Sequence, residues 1–181
     1  MNFELDNKVA LVTGGSKNIG KEIALKLASE KVNVAFTYNS SEIEAEETLI
    51  EIKKFGVKAK SYKLDVSKFN ETQDVLQKIY NDFGNINILI NNAGFTKIKK
   101  FVETNVDDWN KQIDISLKGT IYCCHLVSKK MIDNQDGKII NIVGDSSRIG
   151  EANLAITAAA RGGTIALGKS LAKEFGKYSI T

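Results

Sequence analysis

The chain has 181 residues, of which 43% are hydrophobic, and its formal net charge is +3 at neutral pH. This length and hydrophobic content predict one globular domain with a sizeable core. Basic and acidic residues are interspersed without a basic stripe, no apolar run approaches the ~20 residues of a membrane span, and the first residues lack the apolar core of a signal peptide. We therefore expect a cytoplasmic protein that binds neither nucleic acid nor membrane.

The first predicted element is a strand that runs into a glycine-rich turn and a helix. Residues 8–20, KVALVTGGSKNIG, change from β-branched apolar residues to Thr13-Gly14-Gly15 and then to helical apolar spacing from Ile19. In such a unit the glycines let the backbone approach a pyrophosphate, and the first N–H groups of the helix stabilise the anion. Asn18 stands where a middle glycine is usual, and asparagine tolerates positive φ. The stretch predicts a dinucleotide site, with a ligand-free tight turn as the alternative.

The next two repeats predict helices at residues 21–30 and 42–55 and strands at residues 32–38 and 58–64. Folds that prefer NAD commonly place an acidic residue about 20 positions after the glycines, where it binds the ribose 2′-hydroxyl.

Tyr38 occupies that acidic position in this chain. A carboxylate that would repel a 2′-phosphate is therefore missing from the position, while Lys17, Asn39, Ser40 and Ser41 offer groups that bind one. The pattern favours NADP over NAD. The alternative is that Lys17 is an ordinary solvated lysine.

Polar turns follow the third and fourth predicted strands. Asp65-Val66 comes directly after the third strand, and Asn91-Asn92-Ala93-Gly94 comes after a buried strand at residues 86–90. Open parallel sheets bind ligands at these carboxyl ends. In the alternative interpretation, Asp65 or Ser67 caps the helix that ends near Phe83.

The last third of the chain predicts a helix over residues 107–131, a strand over 138–143 and a long helix over 157–175. The apolar stripe of the first helix contains Ile113, Leu117, Ile121, Cys124 and Val127. The only two cysteines, Cys123 and Cys124, match no metal-binding spacing, so we interpret them as small core residues and expect no metal site.

The motifs TGGSKNIG (residues 13–20), Asp65-Val66 and NNAG (residues 91–94) together resemble the short-chain dehydrogenase/reductase family, most nearly its 3-oxoacyl-[acyl-carrier-protein] reductase branch. The resemblance covers essentially the whole chain. It implies an α/β fold with a doubly wound, Rossmann-like parallel sheet in the strand order 3-2-1-4-5. It also implies that Asp65 accepts a hydrogen bond from the adenine amino group and that the NNAG turn closes over the adenosine ribose.

The resemblance and the motifs together define the predicted cofactor-binding residues. These are Gly14, Ser16, Lys17, Asn18, Ile19, Gly20, Tyr38, Asn39, Ser40, Asp65, Val66, Asn92, Ala93, Gly94 and Arg161.

Family members that reduce carbonyls use a tyrosine acid, a lysine four residues later, a serine and an asparagine. The resemblance places Thr157, Arg161, Gly144 and Ser116 at these four positions, so none holds the standard residue. No tyrosine of the sequence has a lysine four residues later, so the conclusion does not depend on register. The loss of a positioned acid typically costs 10²–10⁴ in rate, which is about 3 to 5 kcal/mol.

These features predict a scaffold that binds NADP(H) and resembles 3-oxoacyl-thioester reductases, with weak or no standard carbonyl reduction. If it is active, its substrate is a small carbonyl compound or acyl thioester. One alternative is a non-catalytic nucleotide-binding or interaction subunit, and another is a non-redox enzyme that uses Asp145 or Ser146.

The family resemblance also implies a homo-oligomer that forms through the helices at residues 107–131 and 157–175. Full-length relatives continue into further strands, a nicotinamide loop and a substrate lid that do not follow Thr181 here. We therefore expect residues 1–181 to form a single, C-terminally incomplete domain. Its fifth strand is expected to be an open edge or to be covered by a partner.

Overall fold

Five parallel strands form a single sheet in the computed structural model, which describes residues 4–181. Their spatial order is 3-2-1-4-5, which confirms the predicted doubly wound topology. The strands are β1 (Val9–Val12), β2 (Asn33–Tyr38), β3 (Ala59–Lys63), β4 (Ile88–Asn91) and β5 (Lys138–Asn141).

The connections between these strands are helical. The helices are α1 (Asn18–Ser29), α2 (Glu42–Lys53), α3 (Phe69–Phe83), α4 (Val106–Ile113), α5 (Gly119–Asn134), α6 (Ser146–Ile149) and α7 (Ala155–Phe175). Short 3₁₀ turns occur at Phe101–Glu103 and Gly176–Tyr178. The short helix α6 is absent from the sequence-based prediction.

The central strand β1 shows how one core forms on each face of the sheet. Successive side chains of a strand point to opposite faces. Ala10 and Val12 pack in the cluster that contains buried residues of α1 and α2, whereas Leu11 packs in the cluster with α3, α5 and Phe175 of α7. All four residues of β1 are buried, as expected for a central parallel strand that is covered on both sides.

The single helix predicted over residues 107–131 is instead two helices, α4 and α5, separated by a π-helical turn at Asp114–Lys118. The Ser116 carbonyl in this turn accepts hydrogen bonds from the hydroxyls of Thr120 at 3.1 Å and Thr164 at 3.3 Å. Side chains that insert into the backbone ladder widen a helix in this way. The expected stripe also changes, because Ile121 is 38% exposed while both cysteines are buried.

The alternative interpretation, in which Asp65 or Ser67 caps α3, is wrong. Its N-cap residue is Lys68, without a side-chain cap bond. The Asp65 carboxylate instead accepts hydrogen bonds from the backbone N–H of Ser67 at 3.0 Å and from its hydroxyl at 2.7 Å. Both candidate caps are therefore occupied by the turn that precedes the helix.

The fifth strand forms one edge of the sheet and ends at Asn141, two residues before its predicted end at position 143. The final residues lie along its free side, where the N–H of Ile139 donates to the Thr181 carbonyl at 2.8 Å and that of Thr181 donates to the Gly137 carbonyl at 3.1 Å. Within residues 4–181, no helix combines the length and hydrophobicity that crossing a bilayer requires.

Candidate functional site

A cleft of about 620 Å³ lies where the loops after the five strands meet. All fifteen residues predicted to bind the cofactor line this cleft, together with Ser41, which the sequence also indicated. Six further lining residues were missed because they belong to no recognised motif: Thr37, Leu64, Phe95, Lys111, Ile115 and Ile142. Of these, Thr37, Leu64 and Ile142 lie within predicted strands, and Phe95 directly follows the NNAG turn, so the sequence contained a signal for these four.

The glycine loop after β1 adopts the backbone that its sequence predicts. Gly14 has φ +64° and Asn18 has φ +50°, which confirms that Asn18 takes the left-handed conformation expected of it. Gly20 has no room for a side chain, since a Cβ there would lie 2.2 Å from the Gly14 carbonyl oxygen. The Gly14 N–H donates to the Thr37 hydroxyl at 3.2 Å, so the loop is anchored to β2.

The turn after β4 is bonded directly to this loop. The side-chain amide of Asn92 donates to the carbonyls of Thr13 and Gly14, both at 3.0 Å. The Thr13 hydroxyl accepts from the N–H groups of Asn92 and Ala93, also at 3.0 Å. These four bonds fix the spacing between β1 and β4 at the point where the cleft opens.

The N-terminus of α1 forms the floor between these two loops. Its N-cap residue is Lys17, and no side chain of the described residues caps the helix. Asn18, Ile19 and Gly20 of the first turn line the cleft. Uncapped N–H groups and the positive end of the helix dipole make this an anion-binding position.

At the β2 and β3 side, two polar side chains have partners already. Burial, and then the neighbouring Glu42 carboxylate, raise the pKa of Tyr38. The Asp65 carboxylate is hydrogen-bonded to Ser67 through one oxygen, Oδ1. The Glu42 carboxylate lies beside Tyr38 and was not part of the sequence-based prediction, but Glu42 itself does not line the cleft.

Only Arg161, of the four predicted catalytic positions, lines the cleft. Ser116 is 1% exposed, and its hydroxyl bonds to the backbone of Phe95, accepting from the N–H at 3.2 Å and donating to the carbonyl at 3.3 Å. Gly144 is exposed, and its carbonyl accepts from the Ser147 N–H at 3.1 Å.

Thr157 is 6% exposed and bonds away from the cleft. Its hydroxyl donates to Gln112 Oε1 at 2.8 Å and lies 3.3 Å from the hydroxyl of Thr96. Gln112 Oε1 also accepts from the Lys97 N–H at 3.2 Å. The hydroxyl is thus one member of a buried polar network between α4, α7 and the segment after β4.

Asp108 is the charged end of this network. Its carboxylate accepts from Lys97 Nζ at 2.5 Å and Lys99 Nζ at 3.1 Å, and it completes a capping box with Asn105 at the start of α4. The two ammonium groups, Lys97 first, hold the pKa of Asp108 at about 2.

Arg161 differs from the other predicted catalytic positions because it is partly buried and yet faces the cleft. One guanidinium nitrogen donates to the Ile142 carbonyl. Another lies where a side chain of Gly94 would be, since a Cβ there would be 1.9 Å away. Within residues 4–181, no carboxylate lies within ion-pair distance of Arg161, and burial lowers its pKa.

The two residues considered for non-redox chemistry, Asp145 and Ser146, do not line the cleft. Asp145 is the exposed N-cap residue of α6, and its carbonyl accepts from Arg148 and Ile149.

The sheet order and the glycine loop over an uncapped helix define a protein of the doubly wound, dinucleotide-fold class. The model of the short chain dehydrogenase family matches residues 8–181, and the chain belongs to this oxidoreductase family. The predicted resemblance is thereby confirmed.

Two curated relatives and one solved structure illustrate the similarity. The chain is 39% identical over 178 residues to the 3-oxoacyl-[acyl-carrier-protein] reductase FabG of Staphylococcus epidermidis, covering 97% of the chain and 72% of the relative. It is 35% identical over 178 residues to a 2-dehydro-3-deoxy-D-gluconate 5-dehydrogenase of Formosa agariphila, covering 98% and 67%. An NAD⁺-bound xylitol dehydrogenase superposes with a TM-score of 0.93 at 30% identity, covering 98% and 68%.

Proposed function

We propose that the chain binds NADP(H) in this cleft and performs weak or no standard carbonyl reduction. One observation carries the proposal. The hydroxyl of Thr157, at the position predicted for the acid, is buried and donates to Gln112, while the glycine loop and the N-terminus of α1 are open to the cleft.

The nucleotide part of the proposal rests on the β1 and β4 loops. The pyrophosphate would lie at the first turn of α1, between the Gly14 loop and the Asn92 turn, where N–H groups and the helix dipole favour an anion. The adenosine would extend toward Tyr38 and Asp65, which line the same cleft.

The preference for a 2′-phosphate depends on two opposing charges. Lys17 is exposed at the N-cap of α1 and lines the cleft, whereas the Glu42 carboxylate lies beside Tyr38, outside the lining, and would disfavour a phosphate. We assign the dominant role to Lys17 because an ammonium that bonds a phosphate forms a charge-assisted hydrogen bond.

Fluorescence titration of NADPH and NADH against Lys17→Gln tests this choice. The loss of one charge-assisted bond is expected to lower the affinity for NADPH by about tenfold and to change the affinity for NADH by no more than about twofold. Lys26→Gln is the matched control, since Lys26 lies further along α1, exposed and paired with Glu30. Equal weakening of both nucleotides by Lys17→Gln would contradict the assignment to the 2′-phosphate.

The chemical part of the proposal follows from proton transfer. Hydride delivery to a carbonyl carbon leaves an alkoxide that must be protonated. A threonine hydroxyl is too weakly acidic for this step, and the permanently charged Arg161 does not exchange a proton at neutral pH. We expect the rate of NADPH oxidation with an acetoacetyl thioester to be at least about 100-fold lower than that of the Staphylococcus epidermidis reductase assayed in parallel. A comparable rate would overturn this part.

A non-catalytic nucleotide-binding or interaction subunit is the second candidate, and the same inward bond of Thr157 to Gln112 favours it. Tight nucleotide binding without turnover on any carbonyl substrate distinguishes it from a slow reductase. We further propose a homo-oligomer through α4, α5 and α7, which light scattering of the purified chain tests.

A further inference from the structure

Arg161 presents a positive charge to the cleft, and within residues 4–181 no acidic side chain forms an ion pair with it. Its guanidinium donates a hydrogen bond to the Ile142 carbonyl. A partly buried charge without a counter-charge is costly. Burial lowers the pKa of Arg161.

The charges of the cleft are distributed unevenly. Lys17, Lys111 and Arg161 line it as cations, and among residues 4–181 Asp65 is the single acidic lining residue. Asp65 follows β3, whereas Arg161 contacts Gly94 after β4 and Ile142 after β5. Since β3 and β5 are the two edges of the sheet, the acid and the guanidinium lie at opposite ends of the cleft.

The neighbours of Arg161 fix its position without using its charge. The Ile142 carbonyl holds one nitrogen, and the absence of a side chain at Gly94 leaves space for another. A guanidinium held in this way keeps further N–H donors in a planar fork, which matches the two oxygens of a carboxylate or phosphate. Ribose hydroxyls would accept such bonds but would not neutralise the charge.

We propose that Arg161 binds an anionic group, a carboxylate or a phosphate, of a second ligand that occupies the β4–β5 end of the cleft beside the nucleotide. This inference deepens the proposed function, on which it rests for the neighbouring nucleotide, and makes the ligand class a small anionic compound. Arg161 is then a specificity residue rather than part of a proton relay.

Calorimetric titration with a matched pair of probes tests the inference. Acetoacetate and its neutral methyl ester differ in the charge at one end, and inorganic phosphate provides the second anion. Each is titrated into protein saturated with NADP⁺, which prevents reduction, and into nucleotide-free protein. Acetoacetate or phosphate is expected to bind at least tenfold more tightly than methyl acetoacetate. The anion that binds more tightly shows whether Arg161 prefers a carboxylate or a phosphate.

Variants at Arg161 locate the binding. Arg161→Gln is expected to remove the preference for the anion in nucleotide-free protein, where a contact between Arg161 and the nucleotide plays no part. Arg161→Lys keeps the positive charge but loses the planar fork of donors, so we expect it to weaken anion binding at least threefold. It replaces Arg161→Gln in the test if circular dichroism shows that Arg161→Gln is unfolded. Arg148→Gln, at an exposed position outside the cleft, is the control and is expected to change neither affinity.

Two results would overturn the inference. One is that neither anion binds the wild-type protein more tightly than the ester. The other is that Arg161→Gln weakens NADP⁺ tenfold or more while anion binding is unchanged, because Arg161 would then serve the nucleotide. Failure of the wild-type protein to bind NADP⁺ would instead defeat the proposed function, and the anion titrations of nucleotide-free protein would still decide the role of Arg161.

Discussion

The polar groups between β1 and β4 and those beneath α7 are organised in opposite ways. In the nucleotide half, which comprises residues 13–20 and 92–94, side chains such as Asn92 bond to the backbone carbonyls of the loops and leave the N–H groups of α1 open. In the α7 half, which comprises Ser116, Thr157 and Gln112, the side chains bond to neighbouring protein groups and are buried.

The difference shows that the glycine-rich cleft and the predicted catalytic positions are organised separately within one fold. The geometry of the nucleotide half depends on glycines that have no room for a side chain and on their backbone conformation, which few substitutions preserve. The α7 half depends on the identity of single side chains, and its positions remain well packed with other residues. Fold membership therefore predicts the first half better than the second.

The largest expected effect is that of Gly20→Ala on the nucleotide half. A Cβ at Gly20 would lie 2.2 Å from the Gly14 carbonyl oxygen and 2.5 Å from the side-chain nitrogen of Asn92. The loop must move away from α1, so we expect NADPH affinity to fall by at least about 100-fold and stability to fall by about 1 to 3 kcal/mol. Fluorescence titration and urea unfolding measure the two effects.

Gly176→Ala is the matched control for this substitution. Gly176 lies outside the left-handed region and has no atom within 4 Å of a Cβ, so the same chemical change meets open space. Nucleotide affinity unchanged by Gly20→Ala would show that the cleft between β1 and β4 is not where the nucleotide binds.

Asn92→Ala is expected to have the next largest effect. It removes both bonds from the Asn92 amide to the Thr13 and Gly14 carbonyls. Partly buried carbonyls that lose their donors cost about 1 to 3 kcal/mol in the free energy of unfolding. We expect NADPH affinity to fall about tenfold with the looser loop. Asn134→Ala, which breaks an exposed bond to Asn85, is the control and should leave nucleotide affinity unchanged.

The backbone geometry of residues 13–20 could be predicted from the sequence because its signals are local. Gly14, Asn18 and Gly20 are separated by only a few residues, and their backbone needs are visible in residue type alone. The alternation of short apolar runs with helical patterns predicted βα repeats and a parallel sheet, whereas the strand order was implied by the family resemblance. All of the predicted cofactor residues consequently line one cleft.

The α7 half was predicted less well because its contacts join distant parts of the chain. The bond from Thr157 to Gln112 spans 45 residues, and that from Thr164 to Ser116 spans 48. No periodic pattern marks such pairs. The π-helical turn at Asp114–Lys118 likewise has its Ser116 carbonyl bonded by hydroxyls from two helices, a contact that the pattern of residues 107–131 does not reveal.

Thr157→Val tests whether the Thr157 hydroxyl has only a structural role in the α7 half. The substitution keeps the shape of the side chain and removes the hydroxyl that donates to Gln112. We expect a loss of about 1 kcal/mol in the free energy of unfolding, because Gln112 keeps its bond from Lys97. NADPH affinity is expected to stay within about twofold, since Thr157 does not line the cleft.

Thr164→Val is the companion variant for this test. It removes another buried hydroxyl of α7, which lies 3.3 Å from the Ser116 carbonyl, and we expect a similar loss of stability. If Thr157→Val alone abolished a residual NADPH oxidation that Thr164→Val retains, the Thr157 hydroxyl would have a chemical role and the two halves would not be separable.

The smallest expected effect is the pH dependence contributed by Asp108. Lys97 first, and then Lys99, lower its pKa to about 2, below the ordinary value of 3.8. A carboxyl with a lowered pKa in the folded state contributes stability above its unfolded pKa and loses that contribution as the pH falls through the folded pKa. The difference in unfolding free energy between wild type and Asp108→Asn should therefore be constant above about pH 5 and shrink from pH 4 toward pH 2. At pH 7 the loss of unfolding free energy caused by Asp108→Asn should be smaller than the loss caused by Thr157→Val, because solvent screens the exposed portions of both lysines. Urea unfolding of both proteins at pH 6, 4 and 3 measures it, and a difference that grows on acidification would show that the lysines do not stabilise the ionised form.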